Sequence, residues 1–307
     1  DISLYKGSMP AEYGGRLSSV LDIKMNEGNN KAYTLQGGIG LIASRLKVEG
    51  PIVKNKGSFM VSGRRTYVDL FLKTSSDPDV KDNVLYFYDL NAKANYHFND
   101  KNAIYLSGYF GKDVLGLKNT FGVDWGNATG TLRFNHVFSS KLFSNTSFIV
   151  SNYNYAVTSF LSDNDFKVTS QITDINLKED LQYVAGPNHT LKFGLNVLHH
   201  TISPGDISAS SGSSINSQGI EKRYGYENEL YASDEWRLGS KLTMLYGLRA
   251  SSFMLMGPGT FNTYNTSGEV VGSQTYGSGK SVASYFNLEP RLSVSYVFDD
   301  QNSVKAS

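Results

Sequence analysis

Long runs of period-2 alternation, joined by connections that are short and long by turns, constrain this chain more than any other feature. Near the C-terminus Phe286, Leu288, Pro290, Leu292, Val294, Tyr296 and Phe298 alternate with Asn287, Glu289, Arg291, Ser293, Ser295 and Val297. A strand places the first set on one face and most of the polar set on the other. The same pattern runs through Leu90–Phe98, Ala128–Phe138, Leu191–Val197 and Leu242–Ala250. Helical spacing is scarce throughout. Aromatic residues gather at strand ends, as in Phe134/Phe138 and Tyr296/Phe298, where a membrane barrel meets its headgroup belts.

The connections sharpen this. Short turns are expected at 51–57, 99–102, 139–141, 186–189, 238–241 and 299–302, and longer polar stretches at 73–83, 112–126, 156–167, 203–219 and 257–280. Strict short–long order in an up-and-down meander collects the short turns at one rim and the long loops at the other. Outer-membrane barrels have that layout. Greek-key sandwiches alternate in hydrophobicity too, but their connections need not sort by length. Several strands run well past 10 residues, whereas soluble strands average about 5–6 and membrane strands need at least about 9–11. The expected fold is therefore all-β: an antiparallel, up-and-down transmembrane β-barrel. It is partial, with about 11–12 strands: eleven, and the start of a twelfth at Ser303–Ser307, where the sequence stops mid-strand.

Composition removes other classes. Lys and Arg (29) against Asp and Glu (28) give a net charge of +1, which supplies no field for holding nucleic acid. There is no Cys, hence no disulfide framework, thiolate metal site or Cys nucleophile. An aromatic share of 13% is too high for a disordered chain. The broad apolar share of 40% is low for a globular domain of this size, as a sheet with one lipid face and one wet face requires. No signal-peptide pattern opens the chain, which fits a cytoplasmic, mature or truncated protein. No apolar run is long enough for a membrane helix, and hydropathy averaging misses barrel strands.

Residues 1–28 read differently: two short apolar strands, Ile2 to Tyr5 and Ser19 to Met25, flank a Gly-rich turn. The stretch Tyr13-Gly14-Gly15-Arg16-Leu17-Ser18-Ser19-Val20-Leu21-Asp22-Ile23-Lys24 resembles the end of the plug domain in TonB-dependent outer-membrane receptors. Gly37-Gly38-Ile39-Gly40 and Val48-Glu49-Gly50-Pro51-Ile52 resemble that family's first barrel strand and first turn. Asn287–Ser293 is similar to a mid-barrel strand, and Asn302–Ser307 to the opening of the next. The resemblance implies two parts, the end of a plug domain at 1–28 and the first half of a 22-stranded barrel at 29–307. It also implies a receptor in a Gram-negative-type outer membrane that imports a scarce nutrient without chemistry on it. Its partners would be outer-membrane lipid, a small nutrient ligand, a TonB-type energy-coupling protein engaged through parts outside this sequence and, as in some nutrient receptors, a surface lipoprotein. No cofactor is implied. Two other classes are a complete 12-stranded outer-membrane pore or hydrolase, and a soluble β-rich binding or adhesion protein. The first predicts a full aromatic-ended twelfth strand, and the second predicts apolar faces buried inside.

Candidate site residues follow. Tyr13, Gly14, Gly15 and Arg16 form the plug motif, with Arg16 expected to reach carboxylates on the inner wall; Glu179, Glu227, Glu229 and Glu289 are the proposed partners. Aromatics among small polar loop residues suit amphipathic ligands: Trp125, Phe160, Tyr264 and Tyr276 above all, with Phe121, Tyr155 and Phe261 nearby. His199 and His200 are adjacent on a strand and point to opposite faces, so they cannot chelate a metal together. Asp77-Pro78-Asp79 and Asp163-Asn164-Asp165 lack a Ca²⁺-loop pattern and read as solvated turns. The Asn-x-Ser/Thr matches at Asn127, Asn145, Asn188 and Asn265 are expected by chance in so Asn- and Ser-rich a chain. No Ser-His-Asp set, paired-carboxylate cleft or phosphate loop stands out, so the chain is read as no enzyme.

Overall fold

The structure, a computed structural model, describes residues 2–5, 9–15, 19–160, 165–209 and 217–307. Two short strands, β1 (Ile2–Tyr5) and β2 (Val20–Ile23), pair with each other. The remaining strands begin with β3 (Thr34–Ile39), β4 (Ala43–Val53) and β5 (Gly57–Thr66). Two short helices follow, α1 (Val68–Leu72) and α2 (Pro78–Lys81). Then come β6 (Val84–Asn99), β7 (Asn102–Leu117), β8 (Phe121–Val137), β9 (Leu142–Ser159), β10 (Phe166–Val184) and β11 (His189–Ala209). The last part holds β12 (Gln218–Gly219), β13 (Arg223–Leu238), β14 (Leu242–Met256), β15 (Gly259–Tyr264), β16 (Val270–Tyr276), β17 (Ser281–Val297) and β18 (Ser303–Ala306).

One antiparallel 14-stranded sheet carries the fold, in the order β18-β17-β14-β13-β11-β10-β9-β8-β7-β6-β5-β4-β3, with β12 beside β11. Chain neighbours are sheet neighbours, as an up-and-down meander demands. The sheet is not closed: β3 and β18 are its edges. It is a partial barrel, and a closed 12-stranded pore is not what this chain forms. Nine consecutive strands, β3 to β11, are followed by β13, β14 and β17, making twelve, and then by β18. The count exceeds the sequence reading by one because 29–50 is a hairpin and not a single strand. Its turn, Gly40-Leu41-Ile42, is closed by the Gly40 amide on the Ala43 carbonyl at 2.8 Å. That turn contains no Asn, Asp or Pro, and its apolar Leu41 and Ile42 read as strand.

The expected short turns appear at 54–56, 100–101, 138–141, 185–188, 239–241 and 298–302, all at one rim. Of the long stretches, 112–126 is corrected. It is the end of one hairpin, with β7 and β8 running to a three-residue turn at 118–120. Asn119 takes the left-handed conformation there (φ 51°), which Asn tolerates better than most residues. Lys112 and Asp124 pair across the hairpin at 3.1 Å. Strands that project beyond a bilayer meet water on both faces, so their polarity no longer marks a loop. Length supports this: 21 residues in β11 span about 70 Å at the usual rise, far more than a hydrocarbon layer of about 30 Å. The stretch 73–83 lies within a connection that carries α1 and α2, and 257–280 holds the hairpin β15–β16.

The sidedness is inside-out. Buried apolar residues among those described are few (Met9, Ala11, Met60, Ala103, Ala156 and Tyr231), and buried polar or charged ones outnumber them. Leu132, Phe148, Leu177, Leu195 and Leu248 are all exposed on one face. Lys93, Arg133, Lys178, Asn196 and Arg249 occupy the register positions of the other face. A soluble sandwich would bury the first set. At the short-turn rim aromatic pairs form a girdle, with Tyr96–Phe98 centroids 5.2 Å apart, Tyr296–Phe298 5.0 Å and His189–Trp236 5.4 Å. Replacing Leu248, mid-strand and 48% exposed, by Arg is expected to cost about 2–4 kcal/mol for the protein folded in lipid vesicles. The same change at inner-face Ser293 should cost far less. Urea unfolding from the vesicles measures both, and equal costs would contradict a lipid-facing Leu248.

Candidate functional site

The inner face of the sheet holds the N-terminal segment at two places. The first is built around Arg249. Pro10 and Tyr13 close a turn (amide to carbonyl, 3.0 Å), which turns the Ala11 carbonyl toward β14. The Arg249 Nη1 donates to that carbonyl at 3.0 Å. Its Nη2 pairs with Glu229 on β13, and Glu229 also accepts from Asn196 Nδ2 at 2.7 Å. Arg249 is 2% exposed, and such a charge is tolerated only when paired and hydrogen-bonded. Close approach depends on two glycines. A Cβ at Gly14 would lie 2.2 Å from Arg249 Nε, and one at Gly247 would lie 2.7 Å from the Ala232 carbonyl and 3.1 Å from the Ala11 Cβ. Gly15 has φ +71°, a left-handed conformation that Gly adopts freely. Beside this turn Lys192 donates to Glu12 at 2.7 Å. Tyr13 packs on Tyr5 with centroids 5.6 Å apart. Burial, and then the nearby Asp22 charge, push its phenol well above the usual range.

The second anchor lies on β5 and β6. Lys93 Nζ donates to the Met25 carbonyl at 2.9 Å, and Asn95 Nδ2 to Glu27 Oε2 at 3.2 Å. Asn95 also bonds Ser58 Oγ at 2.8 Å. Gly28 lies flat on β5. Between the anchors, residues 22–27 and the wall enclose a polar cavity of about 470 Å³.

Of the motif residues, Tyr13, Gly14 and Gly15 lie in this contact, while Arg16 lies outside the described residues. Its four proposed wall partners separate. Glu229 belongs to Arg249. Glu289 is on the inner face and bonds Ser251 Oγ (3.0 Å) and Arg291. Glu227 is also inward, 3.5 Å from His200 Nε2. Glu179 is corrected: it faces outward between Leu177 and Leu181 and accepts from Thr146 Oγ1 at 2.5 Å. Its neighbour Asp180 is the inward one, taking the Tyr231 hydroxyl. Sequence reasoning missed Arg249, Lys93, Lys192, Glu12 and Asn95. The available signal was a charge in the polar set of an alternating strand, and Lys93, Lys192 and Arg249 each carried it. His199 and His200 do diverge. His199 packs on Tyr226 (4.7 Å) and His200 Nδ1 bonds Asp174 (2.7 Å).

The loop aromatics do not form one cluster. Trp125 and Tyr155 are direct cross-strand partners on the inner-face register of β8 and β9. Phe160 lines a groove of about 360 Å³ with Leu117, Asp82 and Lys118. The Asp82–Lys118 pair (2.7 Å) ties the helical connection to the 118–120 turn, and Lys118 holds the Asp82 carboxyl below its ordinary range. Tyr276 packs against Phe261 at the base of the β15–β16 hairpin (5.8 Å), and Tyr264 lies towards its tip. The base is fastened by Arg223, whose guanidinium sits 4.5 Å from the Phe261 ring and donates to the Thr260 carbonyl at 3.1 Å. Of Asp163-Asn164-Asp165, the first two lie outside the described residues.

The family model described as "TonB dependent receptor-like, beta-barrel" matches residues 56–307. No curated protein matches the sequence. Among solved structures, the copper transporter OprC is similar with a TM-score of 0.68 at 9% identity, over 97% of this chain and 48% of that one. BauA, the ferric preacinetobactin receptor from Acinetobacter baumannii, gives 0.68 at 10% identity over 99% and 51%. The closed form of Fiu, a ferric-catecholate import receptor from E. coli K12, gives 0.64 at 12% identity over 96% and 52%. The chain thus spans about half the length of each. At these identities the likeness speaks for the fold.

Proposed function

We propose, because the chain belongs to the TonB-dependent receptor-like β-barrel family, that it supplies the plug end and first half of the barrel of a receptor for energised nutrient uptake. Barrels of this family are outer-membrane proteins of Gram-negative bacteria, and its members are transporters and not enzymes. For this chain we assign residues 1–28 to the plug and 29–307 to the barrel, placed in that membrane. The observation that carries the reading is the grip of the inner wall on residues 9–15 and 25–28 through Arg249 and Lys93. A segment held by a few polar contacts in a wet lumen is one that an external pull can rearrange. The pull would come from a TonB-type protein.

Ligand contact is assigned first to Trp125, whose face turns inward beside Tyr155, and then to Phe160, Tyr264 and Tyr276 on the loops. Copper and ferric chelates, the cargoes in the neighbours' names, are the first nutrients to test. Cells with the gene deleted and then restored on a plasmid should regain growth on the limiting nutrient, and uptake should stop when the proton gradient is dissipated. Undiminished uptake in cells lacking the TonB-type protein would sink this reading. Trp125→Ala is expected to weaken binding of the cognate nutrient to whole cells about tenfold, the loss of one aromatic contact, with surface abundance unchanged.

A further inference from the structure

The cavity of about 470 Å³ between residues 22–27 and the wall, whose lining includes Asp22 and Glu27, contains an arginine that forms an ion pair with neither. Arg133 on β8 is half-buried and stands over the Tyr105 ring, its Cζ 4.9 Å from the centroid. Its Nε is fully buried and has no hydrogen-bond partner, and among the described residues no acid lies within ion-pair distance of its guanidinium. Lys93 approaches the same ring at 6.0 Å. Lys93 uses one of its three donors on Met25. Register places Ser107 beside Lys93 and Thr131 beside Ser107 on the same inner face, and both line the cavity. Three cations (Lys24, Lys93 and Arg133), the Tyr105 ring and two hydroxyls thus converge on one half-open cavity beside two acids, Asp22 and Glu27. A buried guanidinium N–H left without an acceptor is costly, and the planar fork beside it matches an oxyanion.

We propose that this cavity is an oxyanion-binding site for a solute bearing a phosphate or carboxylate group, with Arg133 as the principal donor. The anion takes the guanidinium fork and a free Lys93 donor, and Ser107 and Thr131 complete its shell. Asp22 and Glu27 also line the cavity, and each has a partner of its own, Asp22 in Lys24 Nζ at 4.0 Å and Glu27 in the Asn95 amide at 3.2 Å. The site lies where the N-terminal segment meets the wall, so its occupant bridges the two.

The test uses the complete receptor in detergent, with inorganic phosphate as the probe and isothermal calorimetry as the readout. Saturable phosphate binding and a rise in melting temperature on adding phosphate are expected. Arg133→Gln should weaken binding at least tenfold, the loss of one charge-assisted pair, and abolish the rise. Lys280→Gln, exposed in the connection before β17 at the opposite rim, should change neither. No saturable binding, or binding equal in Arg133→Gln and the unmodified protein, overturns the proposal. A destabilised Arg133→Gln protein whose parent ignores phosphate also overturns it, because a carboxylate of the receptor itself then holds Arg133.

Discussion

Arg249→Ala is expected to destabilise the folded protein by about 3–5 kcal/mol, the cost of leaving one buried charge without its partner. The side chains of Arg249 and Glu229 are 3% and 7% exposed, so neither is screened by water to a useful degree. Without the guanidinium, Glu229 keeps, among the described residues, only the Asn196 amide, and a single neutral donor does not compensate a buried carboxylate. The Ala11 carbonyl loses its donor in the same step. The N-terminal segment should therefore loosen along with the wall. Guanidinium unfolding in detergent gives the energy, and trypsin cleavage after Lys24 reports the loosening. The double change Arg249→Met with Glu229→Gln removes both charges and should recover most of the loss. If the double variant is as unstable as Arg249→Ala, burial of the charge is not the cause.

The legibility of this arrangement in the sequence differs between face and partner. Alternation in Leu242–Ala250 separated Leu248 from Arg249 correctly, because period 2 is a property of the strand itself. Six short turns were legible from clusters of Asn, Asp, Gly, Pro and Ser, the last alone at Ser139-Ser140, because the backbone preferences of these residues are local. The hairpin at Gly40-Leu41-Ile42 was not, since its turn is apolar and closed by backbone hydrogen bonds. The stretch 112–126 read as a loop because polarity on both faces signals a loop in one setting and a strand beyond the bilayer in another. Partners were least legible. Arg249 meets Ala11 across 238 positions of sequence, and only the order of strands around the wall brings them together. Glu179 was assigned inward because it is charged, when the Leu177–Leu181 alternation already set it outward. Tyr13, Gly14 and Gly15 were singled out by motif, and the structure supplies the reason for Gly14: the guanidinium beneath it leaves no room for a Cβ.

The second anchor yields the other large effect, Gly28→Ala. Gly28 is not there to supply an unusual backbone conformation. A Cβ added to it would sit 2.1 Å from the Phe59 carbonyl oxygen and 2.5 Å from its carbon. Flexible side chains can move aside from such a contact, but this one is backbone. Phe59 lies in β5 with Gly50 on one side and Ala94 on the other, so retreat would break ladder hydrogen bonds on a central strand. The segment must move instead. It then gives up the Lys93–Met25 bond and the Asn95–Glu27 bond, one of them with a charged donor and the other with a charged acceptor, for a loss of about 2–4 kcal/mol. Gly130 is the control, since a Cβ there meets nothing within 4 Å, and Gly130→Ala should stay within about 0.5 kcal/mol of the parent. Hydrogen exchange over residues 19–28, followed by mass spectrometry, should show protection lost in Gly28→Ala and kept in Gly130→Ala. Parental protection in Gly28→Ala would mean that the segment is not pressed on β5. The same displacement removes residues 22–27 as the roof of the Arg133 cavity, so phosphate binding should weaken in Gly28→Ala although every wall residue is intact.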